Sequence, residues 1–422
     1  MAVKVLHIIT RLILGGAQEN TLATVGGLSL RDDYEVSLVT GPPIGPEGSL
    51  MDEARMHGIE PVLLPEMRRE INPIRDLLSF VKLYFLIARG KYDIVHTHSS
   101  KAGILGRLAG KLAGVKVIVH TIHGLPFHPY QNKFLNLLYI ILEKFTAYFT
   151  DGIITVCDAM KRKAVSAGIA DEDKFITIYS GMDLTPFLDC CAEWTLNREI
   201  LRSTQNDIRE SARNDTGFSE LSPQKFSTQQ KRRELGIKEG ELVIGKIGRL
   251  FPLKGHKYLI QAAPEVVKVF PNVKFLLIGD GILKDGLKSE VSRLGLEDKF
   301  LFLGLVKRED IPGLISVMDI LVHTSLREGL ARVLPQAMAC AKPVVSFDID
   351  GASEVVIPGK TGFLVPSEDI KSLSSAIINA LSNPGKLSEM GRAGRLHVDP
   401  AFRVETMVDK IDELYQELLE NK

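Results

Sequence analysis

The chain has 422 residues, of which 45% are hydrophobic and 25% are charged, as is typical of globular proteins. This length predicts two or three domains. The 52 basic side chains are balanced by 52 acidic ones, which argues against a dedicated nucleic-acid-binding protein because such proteins need an excess of positive charge.

The first residues, Met1-Ala2-Val3-Lys4, lead directly into an apolar strand and lack the three regions of a secretory signal peptide. The most apolar stretch, from Phe134 to Leu142, is much shorter than the roughly 20 residues that span a bilayer. The four cysteines show no C-x-x-C spacing, so the sequence predicts neither a disulfide framework nor a structural zinc site. We therefore expect a cytoplasmic protein.

Short apolar runs alternate with segments of helical period, which is the pattern of a parallel sheet covered by helices on both faces. The predicted strands are 3–9, 35–40, 61–64, 94–97, 117–120, 152–156, 175–178, 242–247, 274–278, 300–303, 320–323, 343–346 and 362–365. The pattern predicts an α/β protein with two doubly wound, Rossmann-like domains that face each other across a cleft. Such sheets bind ligands at the carboxyl ends of their strands.

The alternation starts afresh in the second half, so we predict a first domain at residues 1–188 and a second at 229–400. Residues 189–228 are rich in polar side chains and show no strand pattern, which predicts an insertion or a mobile linker. Residues 401–422 have apolar side chains at helical spacing. We expect them to form a terminal helix that packs across the body.

The first candidate site follows the first strand, where Gly15 and Gly16 precede a helical segment. Adjacent glycines allow close approach of the backbone to a ligand, and a helix N-terminus offers N–H groups and positive potential to an anion. An ordinary strand-to-helix turn is the alternative. The G-x-G-x-x-G spacing of dinucleotide-binding proteins is absent, which argues against an NAD enzyme.

A second candidate site follows strand 242–247, where residues 248–255 read G-R-L-F-P-L-K-G. The Arg249 guanidinium and the Lys254 ammonium could bind the oxygens of a diphosphate without a metal ion. The alternative is that both are ordinary solvated cations. The glycines on either side of the segment favour the binding site.

The third candidate site follows strand 320–323. Glu328 could accept hydrogen bonds from sugar hydroxyls, backbone N–H groups after Gly329 could face a phosphate, and Gln336 could bind a ribose. In the alternative interpretation, Glu328 only stabilises a helix N-terminus and Gln336 occupies an ordinary helical position.

Histidines end two of the predicted strands: His96 and His98 end one, and His120 and His123 end another. Four imidazoles could bind zinc, but no cluster of Asp, Glu or Cys accompanies them, and we predict no metal site.

The three segments occur in order at the starts of successive helices, and they are accompanied by K-P-V-V at 342–345 and G-K-T-G-F-L-V at 359–365. On these motifs the sequence resembles the family-4 glycosyltransferases (glycosyl transferases group 1), which have the GT-B fold and include many bacterial polysaccharide and glycolipid sugar transferases. The resemblance covers almost the whole chain outside 189–228.

The resemblance implies a retaining, metal-independent transfer of a hexose or N-acetylhexosamine in cell-surface polysaccharide synthesis. The donor would be a nucleoside-diphosphate sugar, the acceptor a glycan or a polyprenyl-linked glycan, and no cofactor would be needed.

The resemblance also implies roles for individual residues. His123 and Glu328 would contact the donor sugar, and Arg249 and Lys254 would neutralise the leaving diphosphate. The remaining donor-binding residues would be Gly15, Gly16, Gly329, Leu330, Ala331 and Gln336. The family usually has a second Glu where this chain has Gln336, and an amide binds a ribose less strongly than a carboxylate does.

The acceptor side of the first domain is basic and aromatic, with twelve Lys or Arg against five Asp or Glu in residues 66–150. Amphipathic helices of this composition suit peripheral contact with an anionic membrane, at its cytoplasmic face, and equally suit ordinary packing on a sheet. Two other functions stay open at this point. One is a non-catalytic subunit that binds a nucleotide sugar or a glycan, and the other is a nucleotide-sugar epimerase of the same architecture.

Overall fold

A computed structural model describes residues 2–45, 48–190 and 228–422. The chain divides into two compact units: the first comprises Met1–Met182 and Ala401–Lys422, and the second comprises Asp183–Pro400. The predicted insertion at 189–228 lies almost entirely outside the described residues.

The first unit is built on a parallel sheet. Its strands are β1 (Val3–Ile9), β2 (Tyr34–Thr40), β3 (Val62–Leu63), β4 (Ile94–His98), β5 (Val117–Ile122), β6 (Gly152–Thr155) and β7 (Phe175–Thr177). Their order in the sheet is β3-β2-β1-β4-β5-β6-β7. The direction of winding reverses between β1 and β4, which is the position where doubly wound sheets bind ligands. All strands predicted for this unit are present, with ends within two residues of those predicted.

Helices connect these strands. They are α1 (Gly16–Ser29), α2 (Met51–Met56), α3 (Pro73–Gly90), α4 (Ser100–Leu112), α5 (Lys133–Ala147) and α6 (Asp158–Ser166). The sequence determines where α3 begins. The Asn72 side chain caps the helix by accepting a hydrogen bond from the Arg75 N–H at 3.1 Å, and the ring of Pro73 fixes a φ angle that suits the first helical position.

Glycines allow α4 to pack close to the first sheet. A Cβ atom at Gly103 would lie 2.5 Å from the His120 ring, and one at Gly106 would lie 2.7 Å from Thr97. Because both distances are far shorter than a normal contact, larger residues at these helical positions would push α4 away from β4 and β5.

A buried ion pair joins α4 to α5. The Arg107 guanidinium donates to the Glu143 carboxylate at 2.6 Å, and both side chains are almost completely buried. Arg107 also donates to the Gly103 carbonyl oxygen at 2.9 Å. Each charge is tolerated in the interior only because the other compensates it.

We expect Glu143→Gln to lower the free energy of unfolding of the first unit by about 3 kcal/mol, because the Arg107 charge then stays buried without its counter-charge. Urea denaturation measures this value. Lys144→Gln, at the exposed neighbouring position, should change it by less than about 0.5 kcal/mol. Similar values for the two variants would contradict the proposed role of the pair.

The second unit repeats the plan. Its strands are β8 (Leu242–Ile247), β9 (Val273–Ile278), β10 (Phe300–Gly304), β11 (Ile320–His323), β12 (Val344–Phe347) and β13 (Gly362–Val365). They are parallel in the order β10-β9-β8-β11-β12-β13, so winding reverses between β8 and β11. A cluster of buried apolar side chains, including Leu259, Phe275 and Ile377, forms a core on one face of this sheet.

The helices of the second unit cover both faces of this sheet. They are α7 (Thr185–Asp189), α8 (Thr228–Glu234), α9 (His256–Val269), α10 (Lys284–Arg293), α11 (Ile311–Ser316), α12 (Val333–Ala339), α13 (Ala352–Val355), α14 (Ile370–Ser382) and α15 (Pro384–Val398). The strands and helices of the two units confirm the predicted α/β class with two doubly wound sheets.

The predicted terminal helix, α16 (Val404–Glu420), packs on the first unit. Its apolar face, with Ile411 and Tyr415, joins the core formed with Val5 and Leu28. Arg31 forms ion pairs with two aspartates of α16. In the described ranges, none of the helices has both the length and the apolar character needed to cross a bilayer.

Candidate active site

The loop after β8 contains a position that only glycine can occupy. Residues Pro252–Lys254 form a 3-10 turn, and Gly255 then takes the left-handed conformation, with φ of 62°, before α9 begins. A Cβ atom at Gly255 would lie 1.9 Å from the carbonyl oxygen of Thr324. The loop after β8 therefore lies directly against the loop after β11.

Two hydrogen bonds hold these loops together. The Thr324 hydroxyl donates to the Gly255 carbonyl oxygen at 2.7 Å, and the Leu326 N–H donates to the Leu253 carbonyl oxygen at 2.8 Å. Since β8 and β11 are neighbours at the reversal of winding, the loops lie where a ligand of this sheet would bind.

The paired loops bring Lys254 and Glu328 into an ion pair. The Glu328 side chain is 19% exposed, and its backbone N–H donates to the Asp350 carboxylate at 2.7 Å. Burial alone would raise the pKa of the Glu328 carboxyl, but the charge of Lys254 and the contact with His323 outweigh burial and hold that pKa well below its usual range. Glu328 is therefore a carboxylate that can accept hydrogen bonds at neutral pH.

The other predicted residues of this unit lie on the same two loops or just after them. Arg249 is exposed, and its guanidinium carbon lies 5.2 Å from the centre of the Phe251 ring. This distance allows a cation–π interaction between the two side chains. Residues 329–331 follow Glu328 and lead toward α12, where Gln336 is half-buried in the first turn. The structure thus places Lys254 in contact with Glu328 and places Arg249 on the Lys254 loop.

Lys246 is a functional candidate that the sequence analysis missed. It lies inside β8, only 1% exposed, and its ammonium donates to the Thr324 hydroxyl at 2.7 Å. Burial, together with the positive charge of Lys254, lowers the pKa of Lys246 to about 7, although the charge of Glu328 opposes the shift. A lysine within an otherwise apolar strand was the signal in the sequence.

The lowered pKa of Lys246 predicts a pH-dependent effect of Lys246→Met. Between about pH 7 and 10.5 the folded protein binds fewer protons than the unfolded chain, so the free energy of unfolding rises with pH across that window. Below pH 7, Lys246 is charged in both states, and the burial of its charge destabilises the folded protein to the full extent. We expect Lys246→Met to raise the free energy of unfolding at pH 6 by about 3 to 5 kcal/mol, and this gain to fall by about half at pH 9. Urea titrations at both pH values measure it, and a gain independent of pH would contradict the assignment.

The first unit has a cavity of about 260 Å³ at the carboxyl end of its sheet. His123 and Gly124 line it from the segment after β5, Ser99 lines it from the segment after β4, and Ala17 lines it from α1. Gly16 is the first residue of α1, and Gly15 immediately precedes it. The predicted glycines and the predicted histidine of this unit therefore lie around one cavity or beside its lining.

Ser99 has an unusual backbone conformation, with φ of 63° and ψ of 160°, a combination that is nearly restricted to glycine. Its hydroxyl forms a 2.8 Å hydrogen bond with that of Thr10, which follows β1. Such strain costs on the order of 1–3 kcal/mol and clusters at functional sites. It could not be predicted, because nothing in the residue type reveals a strained serine.

The other histidines of this region are buried and bonded to one another or to hydroxyl groups. His7, His96 and His98 each have a ring nitrogen within 4.8 Å of those of the other two, so this group is close enough to bind one metal ion. Five of the six ring nitrogens take part in hydrogen bonds. The absence of a metal stays a prediction.

The candidate residues fall into two sets. Gly15, Gly16 and His123 belong to the first unit, whereas Arg249, Lys254, Glu328, Gln336 and residues 329–331 belong to the second. Each set lies at the carboxyl ends of its own sheet.

Comparison with family models gives two matches that together account for most of the chain. Residues 14–185 match the model described as Glycosyltransferase Family 4, and residues 227–397 match the model described as Glycosyl transferases group 1.

Individual glycosyltransferases are also similar to this chain in sequence or in fold. The chain is 29% identical over 423 residues to the UDP-Gal:α-D-GlcNAc-diphosphoundecaprenol α-1,3-galactosyltransferase of Escherichia coli, covering 100% of this chain and 98% of that protein. It is 24% identical to the capsular polysaccharide biosynthesis glycosyltransferase CapM of Staphylococcus aureus, covering 84% of each. Its fold is similar to that of Anabaena HepE in complex with UDP-glucose, with a TM-score of 0.76, 23% identity, and coverage of 98% of this chain and 99% of that one.

Proposed function

The chain belongs to glycosyltransferase family 4 and has the GT-B fold, and from this we propose that it transfers a sugar from a nucleoside-diphosphate sugar to a glycan or lipid-linked acceptor. The product would contribute to cell-surface polysaccharide. The observation that carries the proposal is the ion pair between Lys254 and Glu328 at the winding reversal of the second sheet.

That pair supplies the two groups that a nucleotide-sugar donor needs. A carboxylate can accept hydrogen bonds from sugar hydroxyls, and an ammonium beside it can bind diphosphate oxygens. Arg249 adds a second cation on the same loop as Lys254. Because the Glu328 pKa is held well below its usual range, the carboxylate stays ionised while negative charge develops on the departing diphosphate.

We infer a retaining transfer. In this reaction the bond between the anomeric carbon and the diphosphate oxygen breaks, and the acceptor oxygen forms a bond with the anomeric carbon on the same face. The acceptor proton passes to the departing phosphate oxygen, so no protein nucleophile is required. Arg249 and Lys254 would stabilise the negative charge that develops on the diphosphate, and His123 would contact the donor sugar.

The substrates are proposed from similar proteins. The E. coli relative is named as a transferase from UDP-Gal to a diphosphoundecaprenol-linked GlcNAc, and the HepE structure contains UDP-glucose. We propose a hexose or an N-acetylhexosamine as the transferred sugar and a polyprenyl-linked glycan as the acceptor, used at the cytoplasmic face of the membrane. The cations of the loop after β8 support metal-independent transfer, since they can balance the charge of the diphosphate.

We expect Lys254→Ala and Arg249→Ala each to lower kcat/KM for nucleoside diphosphate release by about 100-fold or more, because each removes a cation from the leaving group. The assay contains nucleotide sugars and a polyprenyl-linked acceptor. Lys257→Ala, which removes an exposed cation from α9, is the matched control and should retain activity, and chelation by EDTA should leave turnover unchanged. Full turnover of both loop variants would refute the diphosphate site.

The proposal includes contact with an anionic membrane through α3 and α5. These helices both pack against α4, and they expose apolar side chains to solvent: Ile74, Leu77, Leu78, Val81 and Phe85 on α3, and Phe134, Leu137, Leu138, Ile141 and Phe145 on α5. Exposed cations, including Arg75, Arg89 and Lys144, lie among them. An apolar face bordered by positive charge matches the interface of a membrane that carries anionic lipids.

Flotation with vesicles of phosphatidylcholine and phosphatidylglycerol at low salt tests this contact. The double variant Leu137→Glu/Ile141→Glu should bind about tenfold less protein than the wild type, because it removes apolar contacts and adds negative charge. The control, Leu305→Glu/Leu396→Glu, makes the same changes at positions of the second unit that are each 74% exposed and should float normally. Equal binding of the two double variants would exclude α5 as the contact surface.

A further inference from the structure

The first sheet aligns three histidines on one of its faces, and a fourth follows the end of β5. In the parallel register His7 lies beside His96, and His98 lies beside Thr121. Side chains two residues apart along a strand share a face, so His98 shares the face of His96, and His123 follows immediately after the end of β5. Neighbouring strands β1, β4 and β5 thus bring His7, His98 and His123 into a row that ends at the cavity.

The three rings are joined end to end by hydrogen bonds. Nδ1 of His7 lies 2.9 Å from Nε2 of His98, and Nδ1 of His98 lies 3.1 Å from Nε2 of His123. In each pair the ring centres are 5.3 Å apart and the planes differ by 15° and 25°. This separation fits rings that meet edge to edge through an N–H···N bond and is too large for rings stacked face to face. His96 is outside the row, because its nitrogens bond to the hydroxyls of Tyr415 and Thr121.

The His7 and His98 rings are neutral at neutral pH. Burial lowers the pKa of His7 to about 3, and burial together with the surrounding imidazoles holds the pKa of His98 well below its usual value. A neutral imidazole has one N–H and one acceptor nitrogen. His98 must therefore accept a hydrogen bond from one neighbour in the row and donate a hydrogen bond to the other.

The far end of the row determines that direction. Nε2 of His7 is buried and has no hydrogen-bond partner among the described residues. A buried N–H without an acceptor is rare and costly, so this nitrogen is the one without the proton. His7 then donates from Nδ1 to His98, and His98 donates from Nδ1 to Nε2 of His123.

We propose that His98 is a positioning residue that fixes the tautomer of His123, with its proton on Nδ1, and that His7 holds His98 through the first hydrogen bond of the row. His123 then presents an N–H donor, and its Nε2 is occupied as an acceptor. Toward a sugar oxygen this ring can act as a hydrogen-bond donor, and it cannot remove a proton through Nε2, which already accepts a hydrogen bond from His98. This step rests on the proposed donor-binding role of His123, and it makes that residue a hydrogen-bond donor rather than a general base.

The tautomer can be measured directly by long-range ¹H–¹⁵N correlation spectra of the full-length protein labelled with ¹⁵N-histidine, with His123 assigned by its loss in His123→Asn. We expect His123 in the wild type to show a protonated Nδ1 and an unprotonated Nε2. In His98→Phe, which removes the donor to Nε2 of His123, both tautomers of His123 should appear. The competent fraction, and with it kcat, should fall by about threefold to tenfold.

The matched control is His96→Phe, which removes a buried histidine of the same face outside the row and should leave the His123 tautomer unchanged. A protonated Nε2 on His123 in the wild type, or an unchanged His123 spectrum in folded His98→Phe, would overturn the proposal. The wild-type spectrum decides the matter even where a variant does not fold. Because the spectra require no turnover, an inactive protein with the expected tautomers would refute the proposed function and leave the row intact.

Discussion

The contact between Gly255 and the carbonyl oxygen of Thr324 is the constraint on which the candidate site of the second unit depends. A Cβ atom at residue 255 would lie only 1.9 Å from that oxygen, so no residue with a side chain fits there. Glycine allows the loops after β8 and β11 to lie side by side, and Lys254 meets Glu328 as a result. Without this close approach, the two charges would belong to separate loops, and neither the low pKa of Glu328 nor the cation beside it would be secured.

Electrostatics then distinguishes the two sheets. The second sheet places Lys254 and Lys246 near the Glu328 carboxylate, and Lys246 is buried deeply enough for its pKa to fall to about 7. The cavity of the first unit is lined by two imidazoles, by hydroxyls and by Glu143, whose charge Arg107 compensates. Since both candidate sites lie at a reversal of winding, the same topology would serve the proposed diphosphate site in one unit and a hydrogen-bonding site in the other.

The fold was largely predictable because strands that are buried on both faces have a distinct apolar pattern. The positions of Arg249, Lys254 and Glu328 on loops after strands were also predictable, because glycines accompany them in the sequence; their roles stay a prediction. The importance of His7 was not predictable, since one histidine in an apolar strand looks like a packing residue until the register aligns it with His98. Lys246 and Ser99 depend on burial and backbone angles that arise only from tertiary packing.

Mass spectrometry and NMR of a polyprenyl-linked glycan after incubation with each nucleotide sugar test the central claim most directly. The account predicts that one donor adds the mass of a single hexose or N-acetylhexosamine to the acceptor, with one nucleoside diphosphate released per sugar. The anomeric proton of the product should show the same configuration as the donor. An acceptor of unchanged mass together with an epimerised donor, or a product of inverted configuration, would contradict it.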